Sequence, residues 1–315
     1  MILTVIYLFC GLMVFVYGMK VVKLGLSQSI NDHNKFVLNY LTGTKLSSIF
    51  LGIIITILMQ SSSATIVLVI SLVNVNLIGL NQALGMVIGA NIGTTITGQI
   101  ISFSLENYFW IFFVVGFGLY LFGKKDKNKN KNKSKRYIAL AEAAGGFGLI
   151  FAGLMLMTNS LVPLAETKTF LDLIYKLSHS SIKAFISGII GTAMLQSSST
   201  FIGVILTLAR QNLVNLSTAI LLLLGSNIGT CITAVIAAIN GTKTAKLVAQ
   251  GHIIFNLGGA LIFLPFVSLY SNMIHLTSHN LVRQIANGHT IFNIINAFLF
   301  YLIFDKFAQL IRRLS

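Results

Sequence analysis

The sequence predicts an all-α integral membrane protein of about seven spans and two re-entrant hairpins, arranged as an inverted repeat. Three observations lead there. Of the 315 residues, 55% are hydrophobic and only 9% charged, where a soluble domain carries roughly 25% charged residues. Uncharged apolar runs of roughly 20 residues, enough to cross about 30 Å of hydrocarbon, recur from one end of the chain to the other. The first half of the sequence also aligns with the second.

The alignment is ungapped. At an offset of 136, Gln60-Ser61-Ser62-Ser63 falls on Gln196-Ser197-Ser198-Ser199, and Gly89-Ala90-Asn91-Ile92-Gly93-Thr94-Thr95 falls on Gly225-Ser226-Asn227-Ile228-Gly229-Thr230-Cys231. From 52 to 97, 21 of 46 positions are identical. Upstream the offset becomes 135 and sets Gly11 and Gly18 on Gly146 and Gly153. Duplicated membrane segments are the mark of inverted-repeat transporter folds. The expected organisation is a first repeat over 1–123, a basic cytoplasmic linker over 124–136, and a second repeat with C-terminal helices over 137–315. The linker, "KKDKNKNKNKSKR", is a charge block of the kind that stays solvated and disordered.

The elements follow in order. A first span covers 1–22; it lacks the basic start of a secretory signal and has an internal counterpart, so it reads as a retained helix. Hairpins are expected over 46–76 and 184–212, and further spans over 82–104, 107–123, 137–163, 217–239, 248–270 and 285–303. The hairpins are chosen by charge. With them the N-terminus is outside and the C-terminus cytoplasmic. Lys20, Lys23, Lys35, Lys45, the eight basic residues of the linker, Lys243, Lys246, Lys306, Arg312 and Arg313 are then inside, 17 basic residues against 5 outside (Lys168, Lys176, Lys183, Arg210 and Arg283). Full crossings at both serine runs would leave 10 inside and 12 outside, against the positive-inside rule. The net charge of +15 is therefore a topology signal spread over short loops, and no nucleic-acid partner is expected. Cys10 and Cys231 sit in apolar spans and frame neither a disulfide nor a metal site.

In this topology the hairpins enter from opposite faces and their tips meet near the midplane. A re-entrant tip leaves backbone N–H groups without helical partners, tolerated only where the loop is buried or lines a wet cavity. Helix N-termini of this kind favour anions. Ser61, Ser62 and Ser63 with Ser197, Ser198 and Ser199 are thus the expected cradle for an oxyanion. A single serine run would more often be a cap or a close-packing surface; two identical runs with the same downstream partner favour a ligand site. The downstream segments put two glycines and an Asn-Thr set mid-span, read as an unwound helix offering oxygens to Na+. Gln60, Gln196, Asn91, Thr94, Thr95, Asn227 and Thr230 are the candidate ion ligands. With no Arg or Lys in this core, cotransported Na+ supplies charge to balance the anion. The competing reading is a glycine-mediated packing kink.

A third pair, His252-Ile253-Ile254-Phe255-Asn256 and His289-Thr290-Ile291-Phe292-Asn293, lies on the last two spans. An intramembrane His is a functional candidate by default, but these fall within about a turn of the expected span ends and read as interfacial histidines with packing asparagines. Glu142 is the carboxylate set into an expected span, facing a wet vestibule or pairing locally; it is not assigned a coupling role.

At these residues the chain resembles the type II sodium-phosphate cotransporters and their bacterial relatives: the paired Gln-Ser-Ser-Ser runs, Asn91-Ile92-Gly93-Thr94-Thr95 with Asn227-Ile228-Gly229-Thr230, and the His-x-x-Phe-Asn segments. The resemblance covers nearly the whole chain. It implies Na+-driven uptake of inorganic phosphate by alternating access, with the paired hairpins holding substrate and ions. Cys231, standing where the first repeat has Thr95, departs from the pattern and weakens that position as an ion ligand. The sequence ends at Ser315 without the soluble helical domain some bacterial relatives carry, so regulation through such a domain is not expected. The expected partners are phosphate, Na+ and the lipid bilayer, with a homodimer as an open oligomeric state. Rival readings are a carrier for another oxyanion or one coupled to protons, and a regulator or channel without coupled transport. An enzyme is not expected: a nucleophilic serine needs a base and an orienting group, and the candidate histidines sit on other helices with no carboxylate near them in sequence.

Overall fold

The computed structural model describes residues 2–28, 43–103, 105–126 and 130–314. Of the expected features, Lys35, position 104 and the linker centre at 127–129 lie outside the described residues. Every regular element among the described residues is helical.

Helix α1 (Ile2–Gln28) is apolar on nearly every face and carries Gly11, Gly18 and Gly25 seven residues apart. That stripe lies against α7 (Lys131–Ala165) at backbone contact: a Cβ on Gly18 meets the Gly146 carbonyl at 2.9 Å, and one on Gly153 meets the Gly11 carbonyl at 2.8 Å. The glycines paired by sequence alignment are thus crossed in space, Gly11 to Gly153 and Gly18 to Gly146. Glycines at such a seam let membrane helices approach closely.

Between these helices run α2 (Lys45–Met59), α3 (Ser62–Asn74), α4 (Leu80–Gly93), α5 (Thr95–Ser102) and α6 (Phe109–Asp126). After α7 come α8 (Lys168–Ser178), α9 (Ser181–Leu195), α10 (Ser198–Arg210), α11 (Leu216–Gly229) and α12 (Cys231–Ala238). The chain closes with α13 (Lys243–Phe263), α14 (Val267–His275), α15 (Leu281–Leu302) and α16 (Phe304–Arg313). Equivalent residues make equivalent contacts in the two halves. α2 packs on α4 where a Cβ on Gly52 would meet the Met86 carbonyl and one on Gly89 the Ile49 carbonyl; α9 packs on α11 through Gly188 with Leu222 and Gly225 with Phe185.

Among the described residues, six stretches are long and apolar enough to cross a membrane: Leu3–Leu26, Leu80–Ser102, Glu106–Lys125, Lys131–Ala165, Leu216–Ala238 and Lys243–His275. Leu281–Leu302 with Phe304–Arg313, bent by 79°, makes up to seven, in line with the sequence. α2, α3, α9 and α10 are apolar but too short. The outer helices show apolar surface of the kind lipid covers, such as Phe9, Met13 and Tyr17 on α1 and Trp110, Phe117 and Phe122 on α6. Inside, one apolar core joins α3, α4, α13 and α16 (Ile66, Met86, Phe255, Phe304), and another joins α1, α7, α10 and α11 (Phe15, Phe151, Ile202, Leu223).

Three expectations need correcting. The basic block is not a disordered tether in its described parts: α6 runs through Lys124 and Lys125, and α7 starts at Lys131, capped by the Asn130 side chain accepting from the Lys133 N–H at 3.0 Å. Lysines are good helix formers, and their charge does not stop a helix that a neighbour supports. The segment 168–178 is a helix the spans did not include. The 248–270 span begins earlier, at Lys243.

Candidate functional site

Both serine runs fold alike. Gln60 ends α2 with φ 49° and ψ 31°, and Gln196 ends α9 with φ 53° and ψ 23°. This left-handed backbone costs a residue with a Cβ about 1 kcal/mol and marks a strained, over-determined position. The next residue is extended and caps the following helix: Ser61 Oγ accepts from the Ala64 N–H and Ser197 Oγ from the Thr200 N–H, each at 3.2 Å. Gln-Ser-Ser-Ser therefore encodes a left-handed C-cap followed at once by an N-cap. The hydroxyls of Ser61 and Ser197 are engaged in capping, which leaves the first-turn N–H groups of Ser62, Ser63, Ser198 and Ser199 directed out of the helix starts.

The two breaks touch. Ser63 Oγ donates to the Gln196 carbonyl at 3.4 Å, and Ser199 Oγ lies 3.4 Å from Thr94 Oγ1 at the junction of α4 and α5. Ser62, Ser198 and Ser199 are buried, and Ser61, Ser63 and Ser197 half-buried. The candidate anion residues of both halves are thus brought to one place, with Thr94 beside them.

The halves differ in detail. Gln60 is buried: its Nε2 donates to the Ile57 carbonyl at 2.6 Å and its Oε1 accepts from Thr97 at 2.9 Å. Gln196 is exposed. Thr56 bonds across its own break to Thr65 at 2.9 Å, whereas Thr192 bonds to Ser226 on α11 at 2.8 Å. The cause is sequence: Phe201 replaces Thr65, and Ser226 replaces Ala90.

Asn91, Thr94, Thr95, Asn227 and Thr230 are all buried, and the interruptions at Thr94, between α4 and α5, and at Thr230, between α11 and α12, are slight rather than unwound stretches. Thr94 and Thr230 keep right-handed helical dihedrals, and their N–H groups still reach the Ala90 and Ser226 carbonyls at 3.1 Å. Gly93 and Gly229 serve close approach instead; a Cβ on either falls 2.8–2.9 Å from Thr56 Cβ or Thr192 Cβ. Three side chains are held by their own helix: Asn91 Nδ2 on the Val87 carbonyl, Thr95 Oγ1 on Ile92 and Thr230 Oγ1 on Ser226, at 2.8–2.9 Å. Asn227 Nδ2 is buried with no partner among the described residues. At Cys231 the thiol points at the Asn227 and His252 carbonyls, each 3.6 Å away, and accepts from Asn256 at 3.5 Å.

His252 and His289 are buried inside the helix bundle. They are the tenth and ninth residues of α13 and α15, each 1% exposed, with Asn256 and Asn293 at 0%. The helices begin before the apolar runs do, at Lys243 and at Leu281 behind its Asn280 cap, so a count from the apolar edge places the histidines nearer the helix ends than they are. Glu142 is exposed on α7. Sequence reasoning missed Thr97, the partner of Gln60, although Thr97 and Thr233 are identical in the repeat alignment. It also missed the Arg210 to Glu106 ion pair at 3.2 Å, with side chains 6% and 16% exposed; no spacing rule links residues so far apart.

Among the described residues, six or seven stretches long and apolar enough to cross a membrane, together with two touching, serine-capped breaks, mark a multi-pass membrane protein with a buried polar centre. Comparison with known proteins gives the family. The model of the Na+/Pi-cotransporter family matches residues 14–159 and again 149–274, and the chain belongs to that family. It is 30% identical over 271 residues to the uncharacterized protein YqeW of Bacillus subtilis, covering 86% of this chain and 85% of that one. It is 27% identical over 267 residues to the putative inorganic phosphate export protein YjbB of Escherichia coli K12, covering 85% of this chain but 48% of YjbB, so it spans about half the length of that relative. A 31% match over 144 residues joins 39% of this chain to 24% of the rat sodium-dependent phosphate transport protein 2C. No solved structure matches. The family is one of transporters, which favours phosphate transport over an enzyme.

Proposed function

We propose that the protein is a secondary active transporter that couples inorganic phosphate to Na+ by alternating access, moving phosphate inward when the Na+ gradient points inward. In this reading residues 1–123 and 137–315 are inverted repeats joined by 124–136, and α2–α3 and α9–α10 are re-entrant hairpins entering from opposite faces. Ser62, Ser63, Ser198 and Ser199 hold the oxyanion through first-turn N–H groups and hydroxyls, while Ser61 and Ser197 keep the tips in shape by capping. Gln60, Gln196, Asn91, Thr94, Thr95, Asn227 and Thr230 supply or orient oxygens for Na+. Cys231, committed to Asn256 and to backbone carbonyls, leaves the second half poorer in oxygen ligands.

The observation that carries this reading is the contact between the two breaks, Ser63 Oγ on the Gln196 carbonyl with Ser199 beside Thr94, since one site shared by both halves is what alternating access requires. The coupling is tested by labelled phosphate flux in proteoliposomes with Na+ gradients of either direction. Inward flux that follows an inward Na+ gradient is expected; flux indifferent to Na+ removes the coupling. A second reading, phosphate export, is favoured by the printed name of the E. coli relative. It predicts faster efflux from loaded vesicles than uptake under matched driving force.

A further inference from the structure

The two long C-terminal helices, α13 and α15, contain a second, smaller symmetry. His252, Phe255, Asn256 and Phe263 on α13 repeat at an offset of 37 as His289, Phe292, Asn293 and Phe300 on α15. The contacts are reciprocal. Phe255 meets Phe300 edge-on with centroids 4.9 Å apart, and Phe292 meets Phe263 edge-on at the same 4.9 Å. Between them lies the one pair that maps onto itself, Gly259 and Asn296: a Cβ on Gly259 would fall 2.5 Å from Asn296 Cγ, and Asn296 Nδ2 donates to the Phe255 carbonyl at 3.2 Å.

The two helices also exchange neighbours. α13 packs on α12, α4, α3 and α11; α15 packs on α5, α11, α10 and α4, which is the same set with each element replaced by its repeat equivalent. Each histidine thereby backs the second arm of an interrupted helix. His289 Nδ1 lies 3.7 Å from where a Cβ on Gly98 of α5 would stand, and Thr97 beside it holds Gln60. The His252 carbonyl meets the Cys231 thiol of α12. Both asparagines donate Nδ2 to the carbonyl of their own histidine, at 3.1 Å and 2.9 Å. That leaves His252 Nδ1, both ring nitrogens of His289, Asn256 Oδ1 and Asn293 Oδ1 buried with no hydrogen-bond partner among the described residues. Buried polar atoms without partners are rare and call for a role, more so where hydrocarbon surrounds the bundle. Apolar residues at these four positions would fill the same space without that cost.

We infer that His252 and His289 are a two-fold-related pair of positioning residues, which set the affinity of the cation site from behind the interrupted helices α11–α12 and α4–α5. The inference rests on the Na+-coupled reading above. His289 brings its imidazole against α5 and His252 its backbone carbonyl against α12, the segments that follow Thr94 and Thr230, and groups in such an outer layer orient the ligands in front of them.

The test is Na+-induced thermal stabilisation of the purified full-length protein, read as the Na+ concentration giving half the maximal shift, with phosphate half-saturation measured separately at saturating Na+. His252→Leu and His289→Leu should each raise the Na+ half-saturation about tenfold, the usual scale for loss of an outer-layer partner, while changing phosphate half-saturation less than about twofold, a distinction well inside tenfold per 1.4 kcal/mol. His252→Gln and His289→Gln, which keep hydrogen-bonding capacity, should recover most of the loss, and His252→Ala and His289→Ala, which remove the ring without adding bulk, should show the same rise if the Leu variants do not fold. Leu or Ala variants that match the parent in Na+ half-saturation, or Gln variants that lose as much as they do, overturn the inference alone. A parent protein that shows no Na+ stabilisation overturns the coupling reading and this inference with it.

Discussion

Gly89 and Gly98 lie nine residues apart on one interrupted helix, and their surroundings dictate opposite responses to the same change. A Cβ at Gly89 runs into the Ile49 carbonyl, whereas at Gly98 nothing lies nearer than 3.6 Å. Gly89→Ala, and equally Gly225→Ala against the Phe185 carbonyl, should lower stability in detergent by about 2 kcal/mol, the range of core overpacking. Gly98→Ala should be neutral or raise the melting temperature, because Ala favours helix by up to about 1 kcal/mol; Ala234 already stands at the equivalent place. The serines divide by a similar logic. Ser61→Ala and Ser197→Ala each lose a cap worth about 1 kcal/mol, and Ser61→Asn, which can still cap, should restore the melting temperature. Ser62→Ala and Ser198→Ala should spare stability and lower phosphate uptake. At this scale the sequence was informative wherever duplication preserved identity: the paired Gln-Ser-Ser-Ser runs led to the touching breaks. It was silent on which serine hydroxyl caps, since that follows from a left-handed glutamine no residue preference announces.

Among elements, the C-terminal end of α5 is clamped by two arginines. Arg210 at the end of α10 donates to the Ile101 carbonyl at 2.8 Å and faces Glu106; Arg283 on α15 donates to Ser102 Oγ at 2.6 Å and to the Gln99 carbonyl at 3.2 Å. Removing one member of a buried ion pair strands the other, a loss of about 3–5 kcal/mol. Arg210→Met should therefore destabilise strongly, and adding Glu106→Gln should recover a large part; additive losses in melting experiments would show that the two do not interact. The spans themselves were readable from apolar run length, because hydrocarbon thickness imposes it. Their starts were less so. α13 extends back over Lys243 and Lys246, whose long stems let charge reach the interface while the backbone stays helical, and the misplaced start put His252 near an edge when it lies mid-helix. The short amphipathic α8 was missed because it carries no 20-residue apolar run.

For the molecule as a whole, the proposed inverted arrangement makes a directional prediction. In a background of Cys10→Ser and Cys231→Ala, Lys183→Cys should react with a membrane-impermeant maleimide in intact cells, and Lys45→Cys only after permeabilisation. Labelling of both from one face would remove the opposed-hairpin reading. That reading came from the distribution of Lys and Arg, a whole-chain property that no local motif records. The helical course of the described linker residues did not come from it, since charge blocks report solvation and say little about a supporting neighbour such as α7 against α6.

The glycine seam between α1 and α7 carries one more consequence. It joins the leading helices of the two halves with Gly18 against Gly146 and Gly11 against Gly153, backbone on backbone, and so leaves no slack for sideways slip. In the proposed alternating-access cycle, rocking of one half on the other would turn about that line, with the seam as an axle; a bulky residue introduced there should then slow transport while the binding groups, far along the chain, stay intact.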